Sequence, residues 1–252
     1  MASSAVRAES AVRSDPVRLL YGAALLLFLL MLLGFQQFYL HGRAYPGEPL
    51  ASPIRLLLIA HGAAMSLWVI TFMVQSLLIV GRNFRLHMRV GPFAVALAVA
   101  MVFLGLWLPI QATRFEPDFT LWGLNRMHFM AVPIFAILTF GAFAALGFLQ
   151  RRRPEIHRPM MFLATLSIIP AATDRITGLP NLYAASTWGA VFGPFFTALF
   201  FGALFLLAKS LLTRSFDRWF ATGLFALILV DASIMKLAPT DAWARFAAFL
   251  VR

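Results

Sequence analysis

Ala60 to Gly91 reads AHGAAMSLWVITFMVQSLLIVGRNFRLHMRVG, and this stretch decides the fold. Between Arg55 and Arg82 there is no formal charge, and at ~1.5 Å per helical residue such a run crosses the ~30 Å hydrocarbon core of a bilayer. His61 lies inside the run, and His87 lies just past its far end in a basic turn. A single crossing therefore sends the two imidazoles to opposite faces of a membrane.

The same composition extends through the 252 residues. The chain is 61% hydrophobic and only 12% charged, about half the charge of a soluble domain, which points to a lipid-facing surface. There is no Cys, so disulfides, thiolate metal sites and iron–sulfur clusters are excluded. The net charge of +11 sits in short loops between apolar runs. It is better explained by membrane orientation than by nucleic acid, which is not expected as a partner.

Apolar runs separated by charge, Pro or Gly predict seven spans, at residues 18–40, 54–80, 91–111, 127–150, 157–175, 188–210 and 218–237. The expected fold is all-α, a polytopic integral membrane protein with seven transmembrane helices and a central four-helix bundle of spans two to five. Pro170 predicts a kink or early exit in the fifth span. Residues 1–16 read as a flexible cytoplasmic N-terminus, 17–238 as the seven-helix domain and 239–252 as an interfacial C-terminal helix. In that last helix Trp243, Phe246, Phe249 and Leu250 recur at helical spacing. The first apolar run is span-length, so it is expected to be a transmembrane helix and not a cleaved signal.

Arg7, Arg13, Arg18, Arg82, Arg85, Arg89, Arg151, Arg152, Arg153, Arg158, Lys209, Arg214 and Arg218 fall on one face, 13 of the 21 basic residues. The richer face is expected to be cytoplasmic, with the N-terminus inside and the C-terminus outside, as in a bacterial inner membrane. His61 and His128 then lie toward the outer face, and His87 and His157 toward the inner. Haem b in a helical bundle asks for two axial imidazoles from different helices at similar depth. Two such pairs, stacked, would make a transmembrane electron path. The plainer alternative for His87 and His157 is contact with lipid phosphate or a loop. His61, ionisable and within a span, is expected to face the interior with a partner.

These positions resemble those of the diheme transmembrane cytochrome b family typified by ascorbate-dependent ferric reductases. His61 followed by Met65, with Gln75 and Arg82 further on, is similar to that family's second helix. Leu86-His87, Met127-His128 and Ile156-His157 fall at the openings of the third, fourth and fifth spans. The resemblance covers about residues 55–175. It implies that the second helix pairs with the fourth and the third with the fifth to hold two haems. The stretches LHMRVG and EIHRPMMFLAT also resemble bacterial predicted membrane proteins of unknown function.

A second constellation lies on the outer half. Asp174 and Arg175 close the fifth span, and Asp231 stands inside the seventh with Lys236 five residues beyond. A charge at the bilayer centre costs at least ~2.5 to 3.5 kcal/mol, so Asp231 is expected to be paired or to face water. Lys236 points about 140° round the helix from it, which leaves Arg175 as the expected partner. His61, His128, Asp174, Arg175, Asp231 and Lys236 could line an outward pocket for an anionic or quinone-like ligand. The same pocket could hold a metal on two imidazoles and a carboxylate. A retinal protein is excluded because residues 90–111 hold no carboxylate, and no HExxH, GxSxG or P-loop pattern occurs.

The function expected is transmembrane electron transfer on one or two b-type haems, with the lipid bilayer and a quinone or small molecule as partners. Two alternatives come from other classes. One is a cofactor-free ligand-binding or transport protein, or an accessory subunit of a homo-oligomer or larger membrane complex. The other is a metal-dependent membrane hydrolase using the outer His and Asp side chains.

Overall fold

A computed structural model describes residues 16–50, 52–116 and 118–252. Residues 1–15, most of the expected N-terminal segment, lie outside the described residues, and Pro16 opens the first helix. The order is α1 (Pro16–Gly34), α2 (Gln36–His41), a 3-10 turn at Ser52–Ile54, α3 (Arg55–Val80) and α4 (Phe84–Phe115). A two-stranded hairpin, β1 (Thr120–Leu121) and β2 (Leu124–Asn125), precedes α5 (Arg126–Phe129), α6 (Ala131–Leu149), α7 (Pro154–Ile168) and α8 (Pro170–Thr173). Next come α9 (Thr187–Phe192), α10 (Phe196–Thr213), α11 (Arg218–Leu237) and α12 (Asp241–Val251). The chain is all-helical apart from that hairpin among the described residues.

Six helices are long and apolar enough to cross a bilayer, and they mark the chain as an integral membrane protein. They are Pro16–Gly34, Arg55–Val80, Phe84–Phe115, Arg126–Leu149, Thr187–Thr213 and Arg218–Leu237. The segment expected as the fifth span does not join them. Its helix α7 has 15 residues, and Pro170, which brings no N–H to the helical ladder, begins the separate turn α8. Residues 162–170 are nonetheless all buried. This segment lies in the middle of the molecule with its surface covered by protein, whereas the six long helices keep exposed apolar faces.

Packing runs in a chain of neighbours: α1 on α3, α3 on α4, α4 on α6, α6 on α7, and α7 on α11. Small residues let these helices approach closely. At Gly34 a side chain would collide with the backbone of Ala172, so α1 and α8 cross in close backbone approach. At Gly105 it would meet Ile137 at 2.6 Å, bringing α4 against α6. One polar link spans this interior, from the Trp68 indole on α3 to the Thr165 hydroxyl on α7 at 3.1 Å.

The helix of the third expected span, α4, starts at Phe84, ahead of the apolar run at 91–111. Asn83 accepts the Leu86 backbone N–H at 3.2 Å and caps α4, so His87 falls inside the first turns of the helix. The C-terminal helix α12 is capped in the same way by Thr240, which accepts from Trp243 N–H at 3.2 Å. Its Trp243 is buried against protein, donating to the Met127 carbonyl at 3.1 Å, while Phe246 and Phe249 stay exposed.

Candidate functional site

At the end of the bundle that carries the basic turns, expected to be the inner one, two histidines meet. His87 is the fourth residue of α4 and His157 the fourth of α7. Their ring centres are 6.3 Å apart with the planes at 85°. Both helices begin after tight basic turns, and Arg153 N–H donates to the Gln150 carbonyl at 2.8 Å in the second of them. The same helix starts that the apolar pattern requires thus set both imidazoles at one depth.

The pair is held from its outer sides. His157 Nδ1 lies 2.9 Å from the Gly147 carbonyl of α6. A carbonyl only accepts, so Nδ1 donates and Nε2 of the neutral ring keeps its lone pair. Gln75 of α3 donates from its amide to the His87 carbonyl at 3.2 Å. His87 Nδ1 and Gln75 Oε1 are buried without a hydrogen-bond partner. The next residue, Arg158, acts through space on both rings. A metal bound at about 2.0 Å by the nitrogens of two opposed imidazoles sets the ring centres roughly 6 Å apart, and this pair has that spacing.

The outer histidines are arranged differently. His61 sits in the second turn of α3, half-buried, with Nδ1 buried and unpartnered. A side chain at Gly62 beside it would meet the Phe38 ring at 3.4 Å, and Ser66 one turn on bonds Tyr39 Oη at 2.5 Å. His128 belongs to the short helix α5, where its backbone N–H donates to Asn125 Oδ1 at 3.0 Å. Among the described residues no ring contact joins His61 to His128.

The outer charges do not converge either. Asp174 Oδ1 accepts the Trp122 indole N–H at 2.8 Å, and Trp122 stacks on Tyr183 at 5.7 Å. Arg175 donates to the Ala171 carbonyl at 2.5 Å, lies over the Phe35 ring at 5.2 Å, and acts through space on His61. The expected Asp231–Arg175 pair is not formed. The two ion pairs among the described residues are Arg126–Glu116 at 2.8 Å and Lys209–Asp217. The reason is positional: Arg175 folds back onto α8 and α1, while Asp231 lies on the stripe of α11 with Leu227 and Ile234 that is buried by protein. Asp231 is 3% exposed and has no hydrogen bond or ion pair among the described residues. Lys236 is exposed.

Among the described residues no three His, Asp or Glu side chains converge on a metal-sized site. Sequence reasoning missed the Gly147 carbonyl, the Trp122 indole and the hydroxyl of Thr197, which is 5% exposed and unpartnered. The first is a backbone atom with no signature in the sequence. Thr197 was legible only as a polar residue in an apolar run. Comparison with protein-family models, with curated proteins and with solved structures gave no match.

Proposed function

We propose that the protein is a transmembrane electron carrier that holds one b-type haem between His87 and His157 near its inner face. The observation that carries this is the 6.3 Å approach of two imidazoles from different helices, one with its Nδ1 tied to the Gly147 carbonyl. Haem bound there would supply reversible one-electron transfer at its iron. The chain's own part is orientation. Gly147 fixes the tautomer and rotation of His157, the outer-partner role that sharpens an imidazole ligand. Gln75 tethers the backbone at His87, and the Arg158 charge beside both rings favours the reduced state of whatever binds between them.

In this reading the chain crosses the membrane seven times, with α7 and α8 as the fifth crossing inside a bundle formed with α3, α4 and α6. From Pro154 to Thr173 the two short helices give a length close to the ~30 Å needed. A crossing enclosed by other helices has no need of a lipid-compatible surface, so a short and more polar segment serves there. The basic turns at Arg82–Arg89 and Arg151–Arg158 face the cytoplasm and offer a landing for a quinone or small anionic electron partner.

The test is a reduced-minus-oxidised visible spectrum of the protein purified from haem-replete cells. A b-type band that disappears in both His87→Ala and His157→Ala is the expected result. A colourless protein, or haem retained in full by both variants, sinks the proposal.

A further inference from the structure

At the end of the bundle that carries the basic turns, four helices leave a cleft with a charged rim and an aromatic floor. Arg158 and Phe162 of α7, Phe205 and Lys209 of α10, and Asp217 and Phe220 at the start of α11 line it, with Leu20 of α1 on the remaining side. On α7 and α10 the charged residue and the ring are four apart, so each pair shares one helix face. Helix α7 begins at this end and α10 finishes there, so both set the charge at the rim and the ring one turn deeper. The three rings pack on one another: Phe162 against Phe205 at 4.6 Å and Phe220 at 5.5 Å, and Phe205 against Phe220 at 5.2 Å.

The charges at the rim do not balance. Asp217 spends one carboxylate oxygen on the Phe220 backbone N–H at 2.9 Å, capping α11, and the other on Lys209. Arg158 is half-buried and has no hydrogen bond or ion pair among the described residues. Two cations thus face one carboxylate that is already taken, and a guanidinium fork of the kind that fits phosphate is left unspent. The enclosed space is ≈ 40 Å³, a few water-sized spheres, far below the roughly 300 Å³ at which pockets for drug-sized ligands begin. It admits a phosphate-sized group and is too small to enclose a larger organic ligand. Outside it, Leu25 and Leu29 on α1 and Leu204 and Leu211 on α10 are exposed apolar side chains.

We propose that this cleft binds one anionic phospholipid, its headgroup phosphate on Arg158 and Lys209 and its chains along the exposed apolar faces of α1 and α10. A free anion would gain the rim alone, whereas a phospholipid gains the rim and the apolar faces together. Basic pockets between membrane helices recognise anionic headgroups by this combination. The site needs no haem and stands whether or not haem binds.

The full-length protein, purified in an uncharged detergent, is titrated at constant ionic strength with dioleoylphosphatidylglycerol, with dioleoylphosphatidylcholine and with inorganic phosphate while its thermal unfolding midpoint is followed. A saturable rise is expected with the phosphatidylglycerol alone, because a ligand that binds only the folded state stabilises it. Arg158→Gln breaks no bond within the protein and is expected to fold. It should raise the half-saturating phosphatidylglycerol concentration about fivefold, the worth of one interfacial cation. Arg214→Asn removes an exposed charge at the same end that lines no part of the cleft, and should change that concentration by less than about twofold. No rise with any of the three, an equal rise with phosphatidylcholine or phosphate, a full response in Arg158→Gln, or an equal weakening in Arg214→Asn overturns the site.

Discussion

The inner and outer histidines are similar in sequence and different in space. His87 and His157 each follow a basic turn, each stand one turn into their helix, and their rings meet at 6.3 Å. His61 and His128 also belong to alternate spans, the second and the fourth, yet no ring contact joins them among the described residues. The difference lies in what else occupies the outer end. His128 is carried by the four-residue helix α5, which is pinned beneath α12 through the Trp243 bond to Met127. His61 faces the α1–α2 corner, with Phe38 against its neighbour Gly62. Similar spacing along a chain places residues at the same depth; whether they meet depends on which face each helix turns inward.

The most severe way to break this contrast is to remove one imidazole from each end. His157→Ala is expected to lose essentially all haem, while His61→Ala keeps it in full; the haem-to-protein ratio of the two purified variants decides. Equal loss in both would make the ends equivalent. Next in size, Gly147→Leu places a branched side chain where a Cβ would already lie 2.7 Å from Met161 Sδ. It should destabilise the protein by about 1–3 kcal/mol through overpacking and lower haem occupancy by displacing the carbonyl that holds His157. A thermal melt with a parallel spectrum reads both effects.

Smaller changes sharpen the contrast. Thr165→Val removes the acceptor for the buried Trp68 indole and is expected to cost about 1–3 kcal/mol, because the donor is left unmade. It should do so without moving the haem band. Trp243→Phe deletes the bond to Met127 and should cost ~1 kcal/mol in a melt. A second haem appearing in that variant would mean that α12 alone keeps His128 from His61. Lys236→Ala, at an exposed position without a partner among the described residues, is expected to shift stability by no more than about 0.5 kcal/mol.

Much of the architecture was legible beforehand, and particular residues show where legibility stopped. The apolar runs announced the six long helices, and Thr240 and Asn83 cap helices whose apolar spacing was already visible. The fifth segment, expected as a span at 157–175, divides at Pro170, which the sequence flagged, but its position at the centre was not evident from its own residues. For the candidate site the four histidines stood out, with the inner pair given the plainer lipid or loop alternative. The Gly147 carbonyl that His157 bonds belongs to the preceding helix and has no signature in the sequence. The expected Asp231–Arg175 partnership failed because Arg175 had a nearer acceptor in Ala171.

The sequence by itself determined that this chain is a set of apolar helices suited to a bilayer and where along each helix its polar residues fall. Those outcomes follow from local terms: the transfer cost of each residue into lipid and the 1.5 Å rise that converts position into height. Rotation about each helix axis is not local. It is decided where Gly34 admits the backbone of Ala172, Gly105 admits Ile137 and Gly193 admits Met235, contacts between residues far apart in the chain. Only the tertiary structure could therefore bring His87 to His157, hold His128 under α12, and leave Asp231 without an ion pair among the described residues.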